Sequence, residues 1–357
     1  MDHGYELEVL ALNNLAFSLG KTTIYVYVLD VNDNTPIFNE TTYSATILEN
    51  TAIGTALFGF SASDADSTTN GQFTITLQDG GGKLSLNAAV NAVQIGTTFD
   101  YESVQTYTAQ LNVIDHGAPA LTSTANISIT ILDVNDNAPV FGSPSYSMSV
   151  DENTATSTSI GQVTATDADS TTNAQIAFSI TGGNTDSLFA IDASTGSITV
   201  ASDIDLETTL EPFYNLTVVA TDQGTPALST TVYVGVSIGD VNDNTPAFNQ
   251  SITYSASILE STSVGSSVLT VQATDADFTL VHSTISYSLS AGSSSKFSID
   301  STSGVISTAG TFDFEGVMSF VIEVIASDGQ LSSSQNVSIS ILDVNDNAPV
   351  FGASSYV

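Results

Sequence analysis

The chain contains no cysteine, tryptophan or arginine, and only three lysines, at 21, 83 and 296. The absence of cysteine excludes disulfide frameworks, thiolate zinc sites and cysteine nucleophiles. With 38 acidic residues and a net charge of −35, the chain also lacks the basic surface that nucleic acids and anionic membranes require. It has no apolar run long enough to span a bilayer. We therefore expect no nucleic-acid partner, and membrane contact only through parts of a parent protein outside this chain.

The composition nevertheless indicates a folded protein. Hydrophobic residues make up 41% of the chain, which is too much for a disordered acidic tail. Unneutralised carboxylates oppose compaction, and three lysines cannot balance them. Divalent cations are therefore the expected counterions.

One segment, Asp-Val-Asn-Asp-Asn, occurs four times, starting at Asp30, Asp133, Asp240 and Asp343. Each copy is followed by Thr or Ala, then Pro, an apolar residue and Phe. The spacings of 103, 107 and 103 residues are one domain long, so the sequence predicts an array of similar domains connected by joints. The carboxylates and carboxamides of each joint are hard oxygen donors of the kind that calcium binds.

Short alternating runs of β-branched, aromatic and small polar residues predict half-buried strands, as in 43–48, 127–132, 146–150 and 254–259. No helix longer than one or two turns is predicted. The fold class is therefore all-β, with three complete sandwich domains at 35–137, 138–244 and 245–347. Residues 1–34 are interpreted as the last strands of a preceding copy, and 348–357 as the start of a further one. With partial copies at both ends, and with no signal peptide evident at the N-terminus, we interpret the chain as a fragment of a longer array.

Other acids repeat in register with the joints. Each complete domain has a Glu at the end of its first strand, then Asp-Ala-Asp, then Asp-X-Glu, then a late Asp. Together with the joint acids, these motifs contain 26 of the 38 acids. Acids two residues apart on an extended segment face the same side, which suits a shared cation. Acids placed only for solubility would not keep this register. A glycosidase-like enzyme would need two acids at one cleft rather than three equivalent copies, so we predict no enzymatic activity and no small-molecule substrate.

The joint segment, the strand-ending Glu, the DxD and DxE pairs, and the DxGxP segments at 115–119 and 222–226 resemble the motifs of cadherin repeats along essentially the whole chain. The resemblance implies tandem seven-stranded Greek-key β-sandwiches in a rod stiffened by calcium, with about three ions in each complete joint. It further implies that the upper repeat supplies the Glu, the DxE pair and the joint segment. The lower repeat supplies the DxD pair, a backbone carbonyl and the late Asp.

The resemblance assigns calcium ligands to each joint by residue. The joint between the first two complete repeats has Glu49, Asp100, Glu102, Asp133, Val134, Asn135, Asp136, Asn137, Asp167, Asp169, Asn173 and Asp222, with Val134, Asn137 and Asn173 acting through carbonyls. The next joint has Glu152, Asp205, Glu207, Asp240, Val241, Asn242, Asp243, Asn244, Asp275, Asp277 and Asp328. The first joint keeps only a lower site, with Asp30, Asn32, Asp33, Asn34, Asp64, Asp66, Asn70 and Asp115. The last joint has Glu260, Asp313, Glu315, Asp343, Asn345 and Asp346.

Two departures from the pattern lie in the third repeat. His282 replaces the expected Asn in a loop one residue longer, and SDGQL (327–331) replaces DxGxP. A carbonyl ligand tolerates the first change, so the site is expected to survive. The His282 ring itself is not expected to bind metal, since soft or borderline metals would want more than one histidine.

N-glycosylation sequons begin at Asn39, Asn126, Asn215, Asn249 and Asn336, and chance alone could account for them in a chain rich in Asn, Ser and Thr. The alternation of apolar residues nevertheless places Asn126, Asn215 and Asn336 on outward faces of strands. This fits an extracellular setting.

The resemblance implies the extracellular part of a plasma-membrane protein that mediates calcium-dependent cell–cell adhesion, of the protocadherin or Fat type. The expected partners are other cadherin ectodomains, homophilic or heterophilic. Two alternatives stay open: a calcium-rich extracellular or biomineral matrix protein, favoured by the scarcity of basic residues, and a bacterial cadherin-like adhesin. Strand exchange through an N-terminal Trp is excluded for this segment, because it contains no Trp.

Overall fold

A computed structural model of the chain describes residues 4–13, 18–209, 211–293 and 295–352. In these ranges the chain is nearly all β, with two single-turn helices, α1 (Leu206–Thr209) and α2 (Leu280–Ser283). The predicted all-β class of tandem sandwiches is confirmed. Within the same ranges no helix has the length and apolar character needed to cross a membrane. Part of the predicted further copy, residues 353–357, lies outside the described residues.

The N-terminal segment forms an antiparallel hairpin of β1 (Gly4–Asn13) and β2 (Ser18–Tyr27). Gly4 pairs with Tyr27 at one end of the hairpin and Asn13 with Ser18 at the other. The last two strands of the first complete repeat, Thr106–Asp115 and Thr122–Leu132, pair in the same antiparallel manner. The hairpin thus has the form expected for the end of a preceding copy.

The first complete repeat contains β3 (Ile37–Phe38), β4 (Thr42–Leu48), β5 (Ala56–Gly59), β6 (Ala62–Ser63), β7 (Phe73–Gln78), β8 (Leu84–Asn87), β9 (Ala92–Ile95), β10 (Thr106–Asp115) and β11 (Thr122–Leu132). One sheet has the order β4-β11-β10-β7 and the other β5-β9-β8, with a small β3-β6 pair at one end. The first strand of the sandwich is interrupted between β3 and β4, and the second between β5 and β6. Counting each interrupted strand once gives seven strands. The first and last, β4 and β11, are parallel.

The second repeat follows the same plan with β12 (Val140–Phe141), β13 (Tyr146–Asp151), β14 (Ser159–Gln162), β15 (Ala165–Thr166), β16 (Ala177–Gly182), β17 (Phe189–Ile191), β18 (Ser197–Val200), β19 (Phe213–Thr221) and β20 (Ser229–Gly239). Its sheets have the orders β13-β20-β19-β16 and β14-β18-β17.

The third repeat contains β21 (Ala247–Phe248), β22 (Ser255–Leu259), β23 (Ser267–Thr270), β24 (Ala273–Thr274), β25 (Ser286–Leu289), β26 (Phe297–Ile299), β27 (Val305–Thr308), β28 (Ser319–Ser327) and β29 (Ser332–Leu342). Its sheets have the orders β22-β29-β28-β25 and β23-β27-β26. The topology therefore recurs in all three repeats.

Alternation along the strands builds each core. In β11, Ala125, Ile127, Ile129 and Ile131 are buried, while the intervening positions point outward. Successive side chains of a strand point to opposite faces, so one apolar face per sheet is enough to fill the sandwich. The acids of the joint motifs lie at or beyond the ends of these strands and outside the cores.

The chain divides into two compact units. The first comprises Met1–Val140, Ala165–Ile176 and Thr221–Thr230, and the second comprises the rest. All predicted ligands of the joint after the first complete repeat fall in the first unit. All those of the next joint fall in the second.

Candidate calcium centres at the joints

The strand-ending glutamates are buried and act as acceptors for two backbone amides each. In the first repeat, Glu49 is only 3% exposed, and its two oxygens accept hydrogen bonds from the Tyr101 amide at 2.6 Å and the Val134 amide at 2.9 Å. Glu152 does the same with the amides of Leu206 and Val241, and Glu260 with those of Phe314 and Val344. Each glutamate therefore ties the DxE segment to the joint segment of its own repeat.

In the first three joints, the first aspartate of the joint segment reaches the loop that follows DxD. Oδ2 of Asp133 accepts hydrogen bonds from the Ser170 amide at 3.0 Å and from Nδ2 of Asn173 at 2.9 Å. Asp30 makes the equivalent contact with Asn70, also at 2.9 Å. The resemblance assigned Asn173 a role through its carbonyl, and in the structure its side chain also donates a hydrogen bond to Asp133.

In the third repeat, the His282 imidazole takes the position of that Asn side chain. Its Nδ1 lies 2.8 Å from Oδ2 of Asp240, which also accepts from the Thr279 amide at 2.9 Å. Burial alone would raise the pKa of Asp240, but the hydrogen bonds from Thr279 and His282 lower it. The altered loop thus keeps the contact through a different side chain.

The joint asparagines connect to the DxGxP segment. Nδ2 of Asn135 donates to Oδ1 of Asp222 at 3.1 Å and to the carbonyl of Pro226 at 2.6 Å, while Oδ1 of Asn135 is buried with no hydrogen-bond donor. A Cβ atom on Gly224 would lie 2.1 Å from Cγ of Asn135, so only glycine fits beside it. The DxGxP motif includes this Gly and this Pro, but the sequence did not predict that they contact the side-chain amide of Asn135.

The DxD pairs are ordered by local hydrogen bonds. The Asp169 amide donates to Oδ1 of Asp167 at 3.0 Å, and Oδ1 of Asp169 accepts from Nδ2 of Asn137 at 2.8 Å. Equivalent bonds link Asp66 with Asp64 and Asp277 with Asp275. In all three pairs, Oδ1 of the first Asp is thus engaged, while its Oδ2 is buried without a hydrogen-bond donor.

Several carboxylates converge closely enough to share an ion. Ligand oxygens lie within 4.8 Å of one another in five sets: Glu49, Glu102 and Asp133; Glu102, Asp136 and Asp169; Glu152, Asp205 and Glu207; Asp275, Asp277 and Asp328; and Glu260, Asp313 and Glu315. Glu102 belongs to two sets, a sharing that the sequence did not single out. Among the described residues, the first joint has no set of three, and its acids are those of the incomplete site.

Calcium fits these residues, because many buried oxygens have no hydrogen-bond donor. They belong to joint residues, to DxD residues and to the late Asp of the third repeat, namely Asn32 Oδ1, Asp64 Oδ2, Asp133 Oδ1, Asn135 Oδ1, Asp167 Oδ2, Asn242 Oδ1, Asp275 Oδ2, Asp277 Oδ2 and Asp328 Oδ2. A buried oxygen that accepts no hydrogen bond lowers the stability of the folded state, so each of these oxygens is expected to have a partner such as a bound cation. All are hard oxygens, as calcium prefers. The lysines engage elsewhere: Lys21 contacts Glu8, and Lys83 and Lys296 donate to the carbonyls of Thr98 and Thr311.

The pKa values of several joint carboxylates are raised, in part by the charges of neighbouring acids. Burial raises the pKa of Glu102 to about 7, and the charges of Glu49 and Asp136 contribute to the rise. Burial likewise raises the pKa of Glu207 to about 7, with contributions from Glu152 and Asp243. The pKa of Asp136 is also raised, by burial first and then by neighbouring acids. A divalent cation would offset the charge repulsion that contributes to these shifts.

Comparison with known proteins assigns the family. The cadherin domain profile matches residues 43–132, 146–239 and 254–342, which together exceed half of the chain. The chain belongs to the cadherin family. The resemblance inferred from the motifs is confirmed.

Similar cadherins include very long proteins. Human protocadherin Fat 1 is 39% identical over 342 residues, covering 94% of this chain and 7% of that protein. Mouse protocadherin Fat 4 is 36% identical over 361 residues, covering 99% and 7%. Mouse cadherin EGF LAG seven-pass G-type receptor 2 is 35% identical over 339 residues, covering 93% and 11%. The chain therefore spans only a small part of each relative.

Solved structures share the fold. The crystal structure of mouse cadherin-23 repeats EC22-24 is 34% identical, with a TM-score of 0.71, over 87% of this chain and all of that one. A structure of protocadherin gammaB7 repeats EC3-6, described as a cis-dimer, is 28% identical, with a TM-score of 0.80, over 95% of this chain and 85% of that one.

Proposed function

We propose that this chain is a calcium-binding cadherin-repeat segment of the extracellular part of a cell–cell adhesion protein. Its complete repeats are placed at 35–137, 138–244 and 245–347, between a remnant at 1–34 and the beginning of another repeat at 348–357. The ligands are the residues assigned to each joint from the sequence. A complete joint takes about three calcium ions.

The observation that carries the proposal is the convergence of buried, donor-free oxygens at the joints. Asp133 Oδ1, Asn135 Oδ1 and Asp167 Oδ2 are all of this kind, and all belong to the first complete joint. A protein that used its acids only for solubility would leave them hydrated. Calcium supplies positive charge to oxygens that already face inward. Glu49, Asn135 and Asp169 are held for this role by hydrogen bonds to the backbone and to neighbouring side chains.

The proposed adhesive role is supported by the similarity of this chain to known cadherins. Relatives include protocadherins and a seven-pass receptor, so the extracellular location expected from the sequence agrees with the family. The proposed partners are other cadherin ectodomains. One similar structure is described as a cis-dimer of a protocadherin, and it supports the proposal that this chain associates with other cadherin ectodomains. A non-catalytic role is part of the same proposal, since the relatives reported above are named as cadherins, protocadherins and a receptor.

Thermal unfolding tests whether the chain binds calcium. We compare melting temperatures in EDTA, in millimolar calcium and in millimolar magnesium. Extracellular calcium modules bind at about 10⁻⁴–10⁻³ M, and a site at tenfold excess over Kd gains about 1.4 kcal/mol. Calcium should therefore raise the melting temperature clearly. Magnesium should raise it much less, because it demands a tighter octahedron. Identical curves in the three buffers would contradict the proposal.

A further inference from the structure

Strand β19 carries an exposed aromatic ring beside a glycosylation sequon. Phe213, Asn215 and Thr217 alternate with Tyr214, Leu216 and Val218. The second set is buried, which turns the first set toward solvent. Phe213 remains 57% exposed. Residues two apart on a strand lie about 7 Å apart on the same face, so ring, amide and hydroxyl are consecutive neighbours.

From this arrangement we propose that Asn215 carries an N-linked glycan whose first sugar packs on the ring of Phe213. Asn215-Leu216-Thr217 is an acceptor sequence for such glycans in a secreted protein. The inference rests on the proposed extracellular location, because the modification requires the secretory route. The sugar is N-acetylglucosamine, which has one face of C–H groups that suits an aromatic surface.

The position of the ring favours this contact. Phe213 leans across β20 at Gly235, where an added Cβ would lie 3.0 Å from its Cζ. Glycine therefore leaves room for the ring to lie along the sheet surface, next to Asn215. Asn215 is exposed, so its side-chain nitrogen is accessible for linkage.

The strand itself is firmly held. The Tyr214 hydroxyl donates to Asp186 at 2.6 Å, and Leu216 is fully buried. A rigid strand keeps Phe213 and Asn215 in fixed positions, so little conformational entropy is lost when a sugar settles on the ring.

Two other sequons on strands provide an internal comparison. Asn126 on β11 and Asn336 on β29 occupy equivalent positions, six residues before the end of their strands, and both are exposed. Thr124 and Ser334 stand two residues before them, where β19 has Phe213. Asn126 also accepts a hydrogen bond from Gln110 at 3.0 Å. Of these three sequons on strands, only that of Asn215 has an aromatic residue two positions before the asparagine.

The first test is secretion of the full 357-residue chain from animal cells behind an added signal peptide, followed by mass spectrometry of its peptides. We expect a hexosamine-containing glycan on the peptide with Asn215 and its loss in Thr217→Val, which keeps Asn215 but removes the acceptor hydroxyl. An unmodified Asn215 in secreted, folded wild type would overturn the inference. Calcium-dependent melting, measured on the same sample, reports separately on the proposed function.

The second test is a double-mutant cycle, which isolates the contact between two groups. Phe213→Leu keeps an apolar side chain but removes the aromatic face. It should lower the melting temperature by several degrees in glycosylated protein and have little effect in the Asn215→Gln background. Equal shifts in the two backgrounds would show that the sugar does not pack on Phe213. Asn126→Gln, at a sequon without an aromatic neighbour, should leave the effect of Phe213→Leu unchanged.

Discussion

The amide of Val134 donates a 2.9 Å hydrogen bond to Oε1 of Glu49, across 85 residues of sequence. The other oxygen of Glu49 accepts from Tyr101. One buried carboxylate thus fixes the joint segment relative to the DxE segment before any ion is considered. Glu152 and Glu260 repeat the arrangement, so the geometry of the joint is partly preformed by the fold.

Glu49→Ala should destabilise the first repeat even in EDTA. It leaves the amides of Tyr101 and Val134 without their acceptor, and an unsatisfied buried donor costs about 1–3 kcal/mol. Glu49→Gln keeps one carbonyl oxygen and should cost less. Urea unfolding in EDTA measures both. Exposed Glu40 provides the control, because Glu40→Gln should shift the midpoint very little. A Glu49→Ala midpoint equal to wild type would show that the glutamate serves only as a ligand.

Gly224→Ala should weaken calcium binding at the first complete joint. The new methyl would collide with Asn135, whose amide bonds to Pro226 and whose Oδ1 is a proposed ligand. Gly80→Ala is the matched control, because a Cβ there meets no atom within 4 Å. Calcium titration calorimetry should show lower affinity or fewer sites for the first variant only. Identical isotherms for both variants would contradict the role of Asn135.

Both the spacing of the repeating acids and their chemistry are visible in one dimension, and the structure brings several of the acids predicted for the joints within 4.8 Å of one another. The alternation in 127–132 likewise predicted β11, since burial of Ile127, Ile129 and Ile131 is a local pattern. The interrupted first strand was not predicted. Residues 37–38 and 42–48 join different partners, β6 and β11, and that choice is made by tertiary pairing.

Individual side-chain contacts at the joints could not be predicted from the sequence either. Asn135 bonds to a carbonyl 91 residues away, and nothing in the Asp-Val-Asn-Asp-Asn segment identifies that acceptor. Glu102 belongs to two sets of acids, one with Glu49 and Asp133 and the other with Asp136 and Asp169, whereas spacing alone assigned it no special place. Asn173 contacts the first aspartate of its joint, and in the third repeat His282 makes the equivalent contact. The sequence did not predict this contact, because the loop containing His282 is one residue longer.

Glu102→Gln should reduce calcium binding more than Asp136→Asn does. Glu102 contributes to two sets of acids and Asp136 to one, so the first change removes a ligand charge from both. Calorimetry or equilibrium dialysis at millimolar calcium gives the number of bound ions and their affinity. A larger loss in Asp136→Asn would transfer the bridging role to that aspartate.

Without calcium, stability should fall as the pH rises from about 4.5 to about 7. Glu102 and Glu207 have folded pKa values of about 7, above the ordinary 4.5, so the folded state binds more protons in this interval. Their contribution is fully present below about 4.5 and is lost as the pH rises through 7. Calcium should reverse the slope, because it binds the ionised carboxylates.

Melting temperatures in EDTA between pH 5 and pH 8 measure this dependence, with the same series in calcium beside it. The double variant Glu102→Gln, Glu207→Gln should flatten the EDTA series, because its side chains do not titrate. A wild-type protein that became more stable with pH in EDTA would show that these glutamates ionise normally in the folded state.

The isolated chain should be mainly a monomer in millimolar calcium. Its net charge is −35, and ions filling the joints would still leave it acidic, so two copies should repel weakly at low salt. It contains no Trp for strand exchange. Sedimentation velocity at micromolar concentration, in calcium and in EDTA, measures the oligomeric state. A monomer in both buffers would make this segment a spacer and place adhesion in other repeats of the parent protein. A dimer that forms only in calcium would instead locate a homophilic interface within these 357 residues, and raising the salt concentration should then strengthen it by screening the acidic surfaces.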